Sequence, residues 1–199
     1  MIREPSNFQK IYFQLAPSPM AREFLREISN ELQLEPEAVQ IVDPDTWHLT
    51  VIHIGNINTI WQQLNTDNDE LTFKRFKSLM QHWAERQQQR VAGKTYQLAA
   101  DSVDFLGGNA SALVVRFTAD NELLFDHQQA YSDLVGAWAS LGINQPVMML
   151  RSLPELKFAH SLTAHVTLAR GVNVNISLSE IDQKKVTFTP MKFFYGLYE

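Results

Sequence analysis

Two short apolar segments, far apart in the chain, carry the same polar pair: His48-Leu49-Thr50-Val51 and His165-Val166-Thr167-Leu168. Each lies in a run of β-forming residues, 47–54 and 164–170, closed by Gly55 and Gly171. In a strand, residues i and i+2 share a face. His48 and Thr50 therefore point one way and Leu49 and Val51 the other; His165 and Thr167 oppose Val166 and Leu168 in the same manner. A fold that buries both apolar faces must present two matching imidazole–hydroxyl faces, one from each half of the chain. With six His and eleven Thr in 199 residues, about 0.3 His-x-Thr matches are expected by chance. One match in each half, both in apolar strands, is well beyond that.

The rest of the chain supplies a scaffold for such strands. Residues 10–16 read as a first strand stopped by Pro17 and Pro19. A one-sided helix follows over 20–34, with Met20, Phe24, Leu25, Ile28 and Leu32 on its apolar stripe. Residues 56–70 read as a polar inserted loop, in which Ile57, Ile60, Trp61 and Leu64 have the spacing of a short helical turn. Helices are expected over 71–90 and 121–141, the second with Leu124, Tyr131, Leu134, Val135 and Trp138 inward. Between them lie strands at 96–106 and 112–118, joined by a Gly107-Gly108-Asn109 turn. Residues 143–161 read as a long irregular loop, and 185–198 as one or two strands broken near Pro190. Mixed elements with antiparallel hairpins predict an α+β fold, and the length suits a single bilobal domain over residues 1–199.

Charge and composition narrow the partners. The net charge is −5, and the halves 1–99 and 100–199 carry 10 basic against 12 acidic and 7 against 10 residues. With no basic stripe, a long duplex nucleic acid is disfavoured, and a small anionic ligand held by local groups stays open. No stretch is long and apolar enough to predict a membrane span. The absence of cysteine excludes disulfides and thiolate metal sites, and a cytoplasmic location follows most simply.

The paired motifs suggest a reaction. Hydrolysing a phosphodiester requires one proton to be taken from the attacking group and another given to the leaving oxygen. Imidazole, with an ordinary pKa near 6.5, serves either purpose at neutral pH. Two imidazoles on opposite sides of phosphorus permit in-line attack, and two hydroxyls can donate to the non-bridging oxygens. Such a site needs neither a metal nor another cofactor. A zinc site built on two His would also want a third ligand, which neither motif supplies.

At these residues the sequence resembles the two-histidine (2H) phosphoesterase superfamily, marked by His-x-Thr/Ser-x motifs on strands of two pseudo-symmetric lobes. It is most similar to the bacterial RNA 2′,3′-cyclic phosphodiesterases, also called 2′-5′ RNA ligases. The likeness runs from Tyr12 to Arg170 and is strongest over His165-Val166-Thr167-Leu168-Ala169-Arg170. It differs at Ala164, where many relatives have Pro, and at 56–70 and 143–161. The resemblance implies antiparallel sheets lining a central cleft, with helices packed outside. It also implies action on a small nucleotide or an RNA end; the chain is expected to be a monomer. His48 would donate a proton to the leaving oxygen and His165 would activate water, roles that another substrate or the reverse reaction would exchange, while Thr50 and Thr167 hold the phosphate. Cleavage of cyclic oligonucleotide signals, or nucleotide binding without turnover, are the alternatives that the resemblance leaves open.

Other residues have two readings each. Arg170 suits either a phosphate contact or a structural ion pair, and Arg116 either an inward anion ligand or an exposed strand face. Tyr12 and Phe105 could stack a nucleobase or pack in the core. His53, odd where His48 is even, is expected on the opposite face of its strand in a structural role. His82, His127 and His160 are expected at the surface.

Overall fold

The computed structural model describes residues 10–34, 39–64, 72–107, 112–156, 158–171 and 183–195. The fold is α+β, and every strand pair among the described residues is antiparallel. In chain order the elements are β1 (Lys10–Pro17), α1 (Pro19–Glu31), β2 (Gln40–Ile41), a 3-10 turn (Pro44–Thr46), β3 (Leu49–Asn56), α2 (Ile57–Gln63) and α3 (Phe73–Val91). There follow β4 (Tyr96–Leu106), β5 (Ala112–Thr118), α4 (Asn121–Ser140), α5 (Pro146–Ser152), β6 (His165–Arg170), β7 (Lys185–Pro190) and β8 (Phe194–Tyr195).

The strands lie in the order β2-β6-β3-β1-β7-β4-β5, and β5 pairs back onto β6. The sheets of the two lobes are thus joined into one circuit. On one side it closes through β1, β7 and β4. On the other, between β3 and β6, the recorded partners are Leu49 and Val166 alone. That meeting point lies at the centre of both His-x-Thr segments.

Alternation decides which face is buried. Ile11, Phe13 and Leu15 of β1, Leu49 of β3, Leu113, Val115 and Phe117 of β5, and Val166 and Leu168 of β6 all enter the core. Full burial of each such side chain contributes about 1.5–3 kcal/mol. The helices cover this apolar side. Ser18 caps α1 by accepting from the Ala21 N–H at 3.2 Å, with Pro19 just inside. Helices α3 and α4 are stitched by the Trp83 indole N–H donating to the Ala130 carbonyl at 3.1 Å, and by Phe76 packed edge-on to Trp138. Asp120 caps α4 at the Leu123 N–H (2.7 Å) and also accepts from the Gln97 N–H of β4 at 2.9 Å, tying helix to sheet.

Several sequence expectations are corrected. The segment read as an inserted loop contains α2, because Ile57 and Ile60 bury one face and Asn56 caps its start through the Asn58 N–H. The long loop contains α5, started by Pro146 at its first turn and held by buried Leu150. In α4 the inward residue is Leu123, while Leu124 is exposed; Met20 also lies outside the core, at 68% exposure. His127 is buried rather than at the surface, and its Nε2–H donates to the Ala159 carbonyl at 3.1 Å. This bond anchors the segment leading to β6, and desolvation holds the His127 pKa below its ordinary value. Residues 65–71, Gly108 and Asn109 of the hairpin turn, and 196–198 of the last expected strand lie outside the described residues.

Candidate active site

Both motif histidines are seated in the same way. In each, the residue before the histidine is buried, Trp47 in one case and Ala164 in the other. In each, the ring Nδ1 lies against the backbone carbonyl two residues upstream: Thr46 O at 2.8 Å for His48 and Thr163 O at 2.7 Å for His165. A carbonyl only accepts, so Nδ1 carries the hydrogen and Nε2 remains to give or take a proton. The 3-10 turn supplies the first carbonyl and is itself fixed by Asp43, which accepts from the Asp45 N–H at 3.0 Å. The second carbonyl precedes Ala164, whose own carbonyl accepts from the Phe117 N–H at 2.9 Å.

The pairing of Leu49 with Val166 relates the two motifs. Continued one residue either way, that antiparallel register sets Thr50 beside His165 and His48 beside Thr167. The two imidazoles are then diagonal neighbours, on backbones about 7–8 Å apart. Each hydroxyl lies across from the other lobe's imidazole.

Two β-bulges determine what else shares this face. In β3, Gln14 pairs with Thr50 but Phe13 pairs with Ile52, so Val51 is the extra residue. The alternation shifts there, and His53, paired with Tyr12, comes to the same face as His48 and Thr50. The expected position of His53 on the opposite face is therefore wrong, because parity counted along the sequence does not survive a bulge. His53 stacks on Tyr12 with ring centroids 4.8 Å apart and planes 16° from parallel. Desolvation lowers the His53 pKa, Glu155 opposes that shift and Lys10 adds to it. In β6 the same device appears. Val114 pairs with Thr167 but Leu113 pairs with Ala169, so Leu168 is the extra residue. Arg170 thereby joins the face of His165 and Thr167.

Arg116 is the Cα partner of His165 across β5 and β6. Its Nε–H donates to Asp104 Oδ2 at 2.6 Å, and Asp104 Oδ1 accepts from the Phe105 N–H at 2.7 Å. The Phe105 N–H and the Arg116 guanidinium together hold the Asp104 carboxyl below the usual carboxylate range. The His165 pKa is lowered first by desolvation, then by the positive charges of Arg116, His48 and Arg170; the Thr163 carbonyl opposes the shift. Gln14 Nε2 lies 3.5 Å from Thr50 Oγ1.

Of the residues singled out in the sequence, His48, Thr50, His165, Thr167, Arg116, Arg170 and Tyr12 all share this face. Phe105 pairs with core residue Leu113 and packs against the core instead. Asp104 and His53 had not been singled out for a role here. Asp104 had a signal, since Ser102 and Asp104 alternate with apolar neighbours in β4 and so face the same way as Arg116 of β5. For His53 the deciding feature is a bulge with no sequence mark. Among the described residues, no three His, Cys, Asp or Glu side chains converge to hold a metal ion. Nor is any described helix long and apolar enough to cross a membrane.

An antiparallel circuit in which two lobes meet at paired His-x-Thr segments is the architecture that the 2H resemblance implies. Solved structures share the fold along nearly the whole chain. The TT0787 protein of Thermus thermophilus matches with a TM-score of 0.57 at 14% identity, over 94% of each chain. LigT of E. coli matches in its complex with NADP+ (TM-score 0.51, 17% identity) and with 3′-AMP (0.50, 18%), each over 96% of this chain and 99% of that one. These likenesses establish the fold. No family model and no curated protein sequence matches the chain.

Proposed function

We propose that this protein is a metal-independent phosphodiesterase acting on a nucleotide, with a 2′,3′-cyclic phosphate or a 2′-5′ linkage as the scissile group. The reading is supported by the matched pair of imidazoles, each tied through Nδ1 to a backbone carbonyl and set diagonally to one another by the Leu49–Val166 pairing. LigT structures that hold 3′-AMP and NADP+ support a nucleotide as the ligand class.

The depressed pKa of His165 keeps that ring neutral at neutral pH and fits it to act as the base. Its Nε2 takes a proton from water as the water oxygen bonds to phosphorus. The bond from phosphorus to the leaving oxygen breaks, and that oxygen receives a proton from His48 Nε2. The products are a phosphomonoester and a free hydroxyl, and the exchanged protons restore the pair after one further transfer. Thr50 and Thr167 donate to the non-bridging oxygens, and the Arg116 guanidinium offsets the charge that grows there. Tyr12 supplies a face on which a base can stack. Arg170 extends the anion-binding side.

The test uses 2′,3′-cyclic nucleotides and 2′-5′ dinucleotides with a chelator present, comparing wild type with His48→Ala and His165→Ala. Turnover by wild type that either substitution abolishes is expected. Binding without turnover, unchanged in both variants, would instead identify a nucleotide-binding module. Cyclic di- and trinucleotides belong in the same panel, because that substrate class suits the same acid–base pair.

A further inference from the structure

We propose that the face carrying the two His-x-Thr pairs is directional and selects a phosphodiester whose departing fragment carries a second phosphate, held by Arg170. This rests on the phosphodiesterase reading and adds to it a substrate class: a phosphorylated oligonucleotide rather than a bare nucleoside cyclic phosphate.

Two bulges set what stands at either end of this face. Each lies just after a motif threonine, at Val51 in β3 and Leu168 in β6. Each brings the fifth residue after the motif histidine to the face that carries the His-x-Thr pairs: His53 in one lobe and Arg170 in the other. The lobes are thus matched in backbone and mismatched in chemistry. Because β3 and β6 run antiparallel through Leu49 and Val166, the four positions fall in the order Arg170, His48, His165, His53 along the cleft. Arg170 lies beyond the proposed acid, on the side where the leaving oxygen departs. His53 lies beyond the proposed base.

The two ends offer different partners. At the His53 end, the ring stacks flat on Tyr12 and senses Glu155 and Lys10 in opposite directions. That end presents a π surface with little net charge, suited to a base. At the Arg170 end stands an exposed guanidinium that lowers the His165 pKa by its charge and makes no ion pair with the described residues. Arg116 differs, because Asp104 at 2.6 Å offsets much of its charge. Asp104 engages only the Arg116 Nε–H, so the terminal N–H donors of Arg116 and the two hydroxyls serve the non-bridging oxygens of a single phosphodiester. Arg170 stands three residues past Thr167, at most about 10 Å along the strand. An arginine placed there reaches a neighbouring phosphate and can hold it with two parallel hydrogen bonds.

Three 2′-5′ dinucleotides test this: unphosphorylated, with a 5′-terminal phosphate, and with a phosphate at the other terminus. Product analysis identifies the departing fragment. For wild type, kcat/KM is expected to rise about tenfold or more only for the isomer phosphorylated on that fragment. The ratio of this isomer to the unphosphorylated dinucleotide should fall towards one in Arg170→Gln and be partly kept in Arg170→Lys. Equal rates for all three substrates, a preference for the other isomer, or a ratio that survives Arg170→Gln overturns the inference. So does turnover confined to nucleoside 2′,3′-cyclic phosphates. Those outcomes leave the phosphodiesterase reading standing, whereas no turnover of any of these compounds by wild type removes both.

Discussion

Asp104 and Arg116 offer a test in which charge, position and stability separate. Their contact is short, at 2.6 Å, but the side chains are 42% and 31% exposed. Solvent screening at that exposure limits the pair to about 0.5–1 kcal/mol of folding stability. The catalytic stake is larger. A guanidinium that donates to the phosphoryl oxygens in the transition state contributes about 1.5–3 kcal/mol, or roughly 10- to 150-fold in kcat/KM. Arg116→Gln is therefore expected to cost more activity than stability. Asp104→Asn should cost less in both, because Arg116 stays nearby but loses its fixed orientation. In a double-mutant cycle, the Asp104 effect should largely vanish once Arg116 is gone. The pH dependence supplies the sign. Arg116 lowers the His165 pKa, so Arg116→Gln moves the acidic limb of kcat/KM to higher pH. Asp104→Asn leaves the Arg116 charge less offset and moves that limb to lower pH. The assay is a pH–rate profile on a 2′,3′-cyclic nucleotide, with thermal melts as the stability control. Limbs that move in the same direction, or not at all, would falsify the proposed electrostatic coupling of this pair to His165.

Three further outcomes are expected. His48→Ala and His165→Ala should each reduce kcat by about 10²- to 10⁴-fold, and the double variant should fall little further, because the rings act as a unit; a fully additive loss argues against a concerted pair. Melting temperature should fall as pH drops from neutral through the ordinary histidine range. His127 and His165 have lowered pKa values in the fold, so the unfolded chain binds more protons there; His127→Gln should weaken that dependence, which a melt series at stepped pH reads directly. Trp138→Ala should cost about 3–5 kcal/mol, since Trp138 is fully buried between α3 and α4; denaturant titration showing a loss under about 1 kcal/mol would contradict the packing described.

What the sequence revealed about the fold followed the strength of its patterns. Residues 96–106 and 112–118 match β4 and β5, because two runs rich in β-forming residues flank a glycine turn, and the one register shift, at Asp101, does not move the strand bounds. The two long helices are within two residues of their expected bounds, since their apolar stripes run for about five turns. The misses are short. Helix α2 and helix α5 have seven residues each, too few for a periodic stripe to stand out from irregular chain. Pro146 read as a loop residue, although proline in the first turn is also a helix start. His127 looked like a surface residue because an imidazole in an amphipathic helix carries no mark of its partner. The Ala159 carbonyl that accepts from it comes from 32 residues away.

The site shows the same division more sharply. The strands, their facing pairs and the pairing of imidazole with hydroxyl are properties of local alternation, so residues 48, 50, 165 and 167 could be placed on faces from sequence. Positions 53 and 170 could not, because each depends on an unpaired residue in a ladder formed with a distant strand. A bulge reverses the face of everything after it. Counting parity sends His53 away from the cleft and would send Arg170 away from His165 as well. The bulges thus extend the matching backbone of the two lobes one step past the motifs, and it is at that step that the side chains diverge. Catalytic symmetry in such a cleft can reside in the residues before the bulge and substrate orientation in the residue after it. Exchanging His53 and Arg170 should then reverse which end of a dinucleotide the cleft prefers, while the acid–base pair stays where it is.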